Sequence, residues 1–335
     1  MADATFERSR LATVFGGSGF LGRHIVRALA RRGWRVRIAV RRPDLAAFMR
    51  TAGAVGQVEA VQANLRFPDS VAAALDGAEM AVNASGLHAE HGAQTYHAVH
   101  VVGSRTVADA ARAAGVEAFV HISGIGADPK SPSAYIASKG LGEAAAFEAF
   151  PNATILRPSV VFGPEDDFFN RFGALSRVMP IIPLFGGGGT RLQPVYVGDV
   201  ARATAASLAG NARTGAVYEL GGPRVMTLRE CAELALTTAE RQSLLVGLPL
   251  GPSRFLASVT GFASRATMGL FPSLLTTSRD QVDLLAQDNV VSEKAAAEAR
   301  TLHGLGIEPQ APDAIVESYL VRFRRTGQYE AQRSA

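Results

Sequence analysis

Tyr135 and Lys139, four residues apart in SAYIASK (133–139), are the side chains of this sequence best suited to moving a proton. Positions i and i+4 share one face of a helix, so phenol and ammonium would point into one cleft. A neighbouring cation favours the phenolate and lowers a phenol pKa from its usual value near about 10. Tyr135 could then donate a proton to a carbonyl, or remove one from an alcohol, while a nicotinamide exchanges hydride. Ser123 lies twelve residues upstream, at the predicted end of a strand, where its hydroxyl could orient the substrate oxygen. The same pair is also suited to holding a nicotinamide ribose without turnover, and spacing alone leaves both uses open.

A second constellation supplies the partner for that chemistry. GGSGFLG (16–22) places Gly16, Gly19 and Gly22 at G-x-x-G-x-x-G spacing, between a predicted strand and a predicted helix. Gly16 permits a tight turn, Gly19 lets backbone N–H groups approach a pyrophosphate, and Gly22 allows close helix–strand contact. Phe20, Leu21 and Arg23 then open the helix whose N-terminus favours the anion. An acid about 20 residues further on would bond a ribose 2′-hydroxyl and indicate NAD. Here Arg41 and Arg42 stand at that place, and guanidinium groups pair with a 2′-phosphate. The expected cofactor is therefore NADPH/NADP rather than NAD.

The elements that must position these groups follow from hydrophobic periodicity. LATVF (11–15) reads as a strand, followed by a helix with Leu21, Ile25, Ala28 and Leu29 on one face and Gly33 as its stop. Strands are expected at 36–40, 58–63, 80–85, 118–123 and 154–162, with helices near 69–76, 95–114 and 133–149. This alternation predicts an α/β, Rossmann-type doubly wound parallel sheet. Residues 164–190, including GGGG (186–189), read as an excursion near a ligand. From about 223 the chain reads as mostly helical. The expected organisation is a nucleotide-binding domain of 1–163 continued by 191–222, and a smaller, mostly helical domain of 164–190 and 223–335.

Composition bounds the rest. Of 335 residues, 47% are hydrophobic and 19% charged, which suits a folded chain with a sizeable core. Cys231 is the single cysteine, which excludes an intrachain disulfide and an all-cysteine metal site and fits a reducing compartment. The start MADATFERSR lacks a signal-peptide pattern, and no apolar stretch reaches membrane-spanning length. The expected location is cytoplasmic, with a peripheral place on the inner face of the cell membrane left open. Net charge is +4, yet no basic–aromatic interleaving points to nucleic acid. His88, His91, His97, His100 and His121 lack flanking ligand patterns, so no metal is assigned and a mixture of surface and helix histidines is expected. Residues 241–279 contain no acid, and Phe255, Val259, Phe262 and Ala266 share a helical face. That face suits the core of the small domain, and a lipid surface or a quinone-like substrate is the alternative.

The glycine loop, Asn83 with Gly86, Ser123, Tyr135-x-x-x-Lys139 and LRPSVVFGP (156–164) together resemble the extended or atypical short-chain dehydrogenase/reductase family. HISGIGADPKSPSAYIASKGLGE, FPNATILRPSVVFGPEDDFFNRF and LQPVYVGDVA narrow this to the group of complex I alpha subcomplex subunit 9 and its bacterial relatives. The resemblance implies a tightly held NADPH and a catalytic set of Ser123, Tyr135 and Lys139. It also implies nucleotide contacts from Asn64 and Leu65, where many relatives carry an acid on adenine, and from the turn Ala84, Ser85 and Gly86. Pro158, Ser159 and Val160 would lie near the nicotinamide. His100 stands where many extended members have Asn. The implied activity is hydride transfer to or from a carbonyl or alcohol of an apolar substrate, quinone- or isoprenoid-related. The alternatives are a non-catalytic NADPH-binding accessory protein of respiratory complex I or a quinone-biosynthesis complex, and a sugar-nucleotide epimerase or dehydratase.

Overall fold

The computed structural model describes residues 10–253, 287–325 and 327. Seven parallel strands form the main sheet: β1 (Leu11–Phe15), β2 (Arg35–Val40), β3 (Val58–Gln62), β4 (Met80–Asn83), β5 (Ala118–Ile122), β6 (Thr154–Pro158) and β7 (Val217–Leu220). Their order is β3-β2-β1-β4-β5-β6-β7. Chain direction across the sheet reverses between β1 and β4, and the carboxyl ends of the strands at such a switch point are where open α/β sheets bind ligands.

The strands read as continuous apolar runs because both faces are covered. On β1, Leu11 and Phe15 join a core with Leu75, Val107, Ala111, Phe119 and Ile155, while Thr13 donates to the Ala74 carbonyl at 2.9 Å. Ala12 and Val14, on the opposite face, are fully buried. The helices include α1 (Phe20–Arg31), α2 (Pro68–Leu75), α3 (Gly103–Ala113), α4 (Ala134–Ala149), α5 (Phe169–Val178), α6 (Val197–Ala206) and α7 (Leu228–Thr238). Helix α1 packs with α6, and α3 packs with both α2 and α4.

Two compact units result. Among the described residues, the first comprises 10–158, 197–220 and 294–308 and carries the sheet; the second comprises 159–196, 221–253, 287–293, 309–325 and 327. Residues 294–308, read from sequence as part of the smaller domain, thus cluster with the sheet, where the Arg300 carbonyl accepts from the Glu219 N–H at 3.0 Å. The expected strand 154–162 is two strands. β6 ends at Pro158, and Val161–Phe162 pairs in parallel with Val195–Tyr196 instead. Ser159 marks the break, donating its hydroxyl to the Asn289 carbonyl at 2.8 Å. The expected helix near 95–114 is also divided, into a π-helical turn His97–Val102 and α3. GGGG (186–189) follows the strand Ile181–Phe185, which pairs with Leu244–Leu248; φ values of 66°, 81° and 82° at Gly186, Gly187 and Gly188 explain the residue type. The proposed face of Phe255, Val259, Phe262 and Ala266 lies outside the described residues. Among the described residues, no helix is long and apolar enough to cross a membrane.

The core of the second unit gathers Phe162, Phe169, Leu228, Cys231, Val316 and Leu320. Asp166 ties it together: its carboxylate accepts from the N–H groups of Gly163, Phe168 and Asn170 at 2.9, 3.0 and 3.0 Å and from the Tyr319 hydroxyl at 2.7 Å. Asp166→Ala would leave these donors without their acceptor. The expected loss is about 3 kcal/mol or more, since each unsatisfied buried group costs about 1–3 kcal/mol. Thermal denaturation of the variant checks this; an unchanged midpoint contradicts it.

Candidate functional site

The glycine loop sits at the switch point, and its residue types follow from clearance. A Cβ at Gly22 would lie 2.2 Å from the Gly16 carbonyl oxygen, so α1 could not approach the loop with any other residue there. Gly16 has φ 75°, and a Cβ on it would meet the Ala84 carbonyl at 3.0 Å. The turns after β1 and β4 therefore touch through bare backbone. The Gly19 N–H donates to the Gly16 carbonyl at 3.0 Å, and Gly19 is the extended N-cap of α1. Phe20 and Leu21 begin the helix, whose first turn holds no acid to cancel the positive end of its dipole.

Around this cradle the expected contacts divide. Arg23 packs its guanidinium 5.6 Å from the Phe48 ring centroid and donates Nε to the Gly19 carbonyl at 3.3 Å. Arg41 and Arg42 are both exposed after β2. Arg42 makes a two-point pair with Asp44, at 3.1 and 2.8 Å, which holds its guanidinium above its ordinary pKa and engages it. Arg41 has no ion-pair partner among the described residues. Asn64 uses Oδ1 to accept from the Arg66 N–H at 3.2 Å, and Leu65 packs where a Cβ at Gly103 would meet it at 2.9 Å. Ala84, Ser85 and Gly86 form the turn after β4, where the Ser85 N–H donates to Asn83 Oδ1 at 3.1 Å. The Pro158 carbonyl accepts from the Ile125 N–H at 3.0 Å. Ser159 and Val160 belong to the second unit, where the Val160 carbonyl accepts from the Val195 N–H at 2.9 Å.

Helix α4 carries Tyr135 and Lys139, the residues expected from sequence to handle a proton. Ser133 caps it, accepting from the Ile136 N–H at 3.4 Å. Tyr135, Lys139 and Glu143 then fall on one face at successive i, i+4 positions. Lys139 is buried and donates Nζ to the Ile122 carbonyl at the end of β5, at 3.5 Å. Burial pulls its ammonium down to about 8, against the attraction of Glu143. Glu143 is itself buried and clamped by Arg157 through bonds of 2.9 and 2.6 Å. A Cβ at Gly86 would lie 3.8 Å from both Lys139 Nζ and His100 Nε2, so the β4 turn, α4 and the π-helical turn converge here. Next to Ile122, the Ser123 hydroxyl oxygen is buried and has no hydrogen-bond partner among the described residues. A glycine cradle that side chains would fill and an orphaned hydroxyl fit a dinucleotide and a substrate oxygen.

Two expectations about this site change. The phenol of Tyr135 lies above its ordinary value, because burial disfavours the phenolate. Tyr135 is thus a protonated phenol at neutral pH. The histidines are not uniformly peripheral: His100 and His121 are each only 2% exposed. His121 Nδ1 accepts from Asn83 Nδ2 at 3.3 Å, and Asn83 Nδ2 also donates to Ser104 Oγ at 3.4 Å. His100 bonds Ser138 at 2.8 Å and stacks on Tyr96 at 5.6 Å. Spacing had no signal for Ser138 or Tyr96, whose roles arise from elements far apart in sequence. Among the described residues, no group of three or more His, Cys, Asp or Glu side chains could hold a metal ion.

The chain is similar to known proteins. Residues 12–221 match the model of the NAD dependent epimerase/dehydratase family. The chain is 32% identical over 320 residues to the mitochondrial NADH dehydrogenase (ubiquinone) 1 alpha subcomplex subunit 9 of Arabidopsis thaliana, covering 95% of this chain and 79% of that one. It is 36% identical over 191 residues to the ceramide reductase of Caulobacter vibrioides, covering 57% and 58% of the two chains. Its fold matches that of the epimerase Mth375 from Methanothermobacter thermautotrophicus with a TM-score of 0.70 at 18% identity, over 98% of this chain and 95% of that one.

Proposed function

We propose, for a chain that belongs to the NAD dependent epimerase/dehydratase family, that it binds NADP(H) and reduces a carbonyl on an apolar substrate. The observation that carries this reading is the grouping at one strand end: Lys139 against the Ile122 carbonyl, the buried Ser123 hydroxyl beside it with no partner among the described residues, and a protonated Tyr135 on the same helix face as Lys139. When bound, the nicotinamide supplies the hydride. Tyr135 donates the proton to the carbonyl oxygen, and Ser123 donates a hydrogen bond to the same atom. Lys139, charged below about 8, stabilises the phenolate left behind. A phenol held protonated suits reduction better than alcohol oxidation, which needs the phenolate.

Arg41 supports NADP(H) over NAD(H), because an exposed guanidinium at the end of β2 can pair with a 2′-phosphate. Arg41→Ala is expected to weaken NADPH binding about tenfold or more and NADH binding by less than about twofold, since a charge-assisted bond is worth about 1.5–3 kcal/mol. Fluorescence titration with each nucleotide measures this, and equal losses for both contradict it. Mass spectrometry of nucleotide released from the purified protein tests the cofactor directly: NADPH or NADP is expected, and NAD alone would overturn the assignment. The apolar substrate is supported by the ceramide reductase relative, whose name denotes action on a lipid.

The subunit 9 relative of Arabidopsis thaliana, similar along 95% of the chain, favours a second reading. In it the nucleotide holds the fold while the protein serves a respiratory complex from a peripheral place at the membrane. Retention of NADPH through exhaustive dialysis, co-purification with membrane complexes and absence of turnover would select it.

A further inference from the structure

His100 is a buried polar group that the proposed reaction leaves without a task. It lies on the π-helical turn His97–Val102, a widening of the helix that is frequent at functional sites. The turn is held close to α4: a Cβ at Gly142 would lie 2.2 Å from the His100 carbonyl oxygen. The imidazole then completes a directed series of bonds. Its Nε2 accepts from the Leu87 N–H at 3.0 Å. An amide nitrogen only donates, so Nε2 bears no proton. Burial, with the Lys139 charge nearby, pushes the ring down to about 3 and keeps it neutral. Nδ1 therefore carries the proton and donates to Ser138 Oγ at 2.8 Å. The Ser138 hydroxyl in turn donates to the Tyr135 carbonyl at 2.7 Å. The ring also meets the Tyr135 ring edge-on at 5.7 Å.

We propose that His100 is a positioning residue of the nucleotide site, clamping the Gly86–Leu87 turn to the backbone of Tyr135 so that the turn and the phenol keep a fixed spacing. The inference rests on the reading that this cleft holds NADP(H). The chemistry required is one acceptor and one donor on the same short side chain. Imidazole in this tautomer has both, and a glutamine amide has both at similar separation. Phenylalanine keeps the volume and the stacking on Tyr96 but makes neither bond.

The test compares His100→Phe and His100→Gln with the parent, as full chains, by hydrogen exchange of the Leu87 amide and by titration with NADPH. The Phe variant is expected to exchange the Leu87 proton at least about tenfold faster and to bind NADPH about tenfold more weakly, the size of one lost buried hydrogen bond. The Gln variant is expected to restore both to within about threefold of the parent. Rescue separates positioning from a general loss of stability, which Gln would not repair. A Phe variant with the parent's NADPH affinity and Leu87 protection overturns the proposal, as does a Gln variant as impaired as Phe. A parent chain that binds no NADPH overturns the nucleotide reading and the clamp's purpose together. A parent that binds it, beside a Phe variant that binds it equally, overturns the His100 proposal alone.

Discussion

Tyr135→Phe is expected to slow NADPH-driven carbonyl reduction by about 10²–10⁴-fold, the usual contribution of a positioned general acid. The substitution removes one oxygen and no ring contact, so the edge-on packing on Tyr96 and His100, at 5.5 and 5.7 Å, survives. NADPH affinity should stay within about twofold, because the lost interaction is one made as the proton moves. The measurement is NADPH oxidation with a panel of ketones, enones and quinones, alongside a nucleotide titration. Equal turnover by variant and parent would remove Tyr135 from the mechanism. The pH profile carries a second signature. Lys139 is cationic below about 8 and neutral above it, so the stabilisation of the phenolate left on Tyr135 fades as pH rises through that value. Reduction should therefore decline on the alkaline side of about 8, and a rate still rising there would contradict the role given to Lys139.

The other large effect is loss of stability in mild acid. Burial lowers both His100 and His121 from 6.5 to about 3, with the charge of Lys139 adding to the effect. Both rings are neutral in the folded state, whereas the unfolded chain protonates them below about 6.5. Between 6.5 and about 3 the unfolded state binds more protons, so stability is fully present above that window and falls as pH drops through it. Each ring adds a slope of about 1.4 kcal/mol per pH unit. Neither can charge in place, because His121 Nδ1 accepts from Asn83 and His100 Nε2 accepts from the Leu87 N–H. His121→Gln keeps an acceptor for Asn83 and does not titrate. Denaturant unfolding between pH 4 and 7 should show a slope shallower by about one proton for this variant. Identical slopes for variant and parent would sink the assignment.

Much of this architecture was legible from residue order. The apolar runs of β1 to β6 could be read because strands buried on both faces tolerate few polar residues. Gly16 and Gly22 could be read because the tight turn sets φ 75° at Gly16 and leaves only 2.2 Å between a Cβ at Gly22 and the Gly16 carbonyl oxygen, both local to the loop. Tyr135 and Lys139 could be paired because helical geometry sets which neighbours share a face. What escaped is what depends on distant segments. The single strand foreseen over 154–162 ends at Pro158, because Val161 and Phe162 find partners at Val195 and Tyr196.

Residue order by itself determined the parallel sheet, the glycine bend at the switch point and the helix face bearing phenol and ammonium, since each follows from local sterics and periodicity. Only the tertiary structure decided the protonation states. Tyr135 is held as a neutral phenol, Lys139 is drawn towards neutrality, and His100 carries its proton on Nδ1. The physical reason is that a pKa is set by desolvation and by the donors and acceptors around the group. Those surroundings are assembled from β4, β5, α4 and a π-helical turn that are neighbours in space and not along the chain.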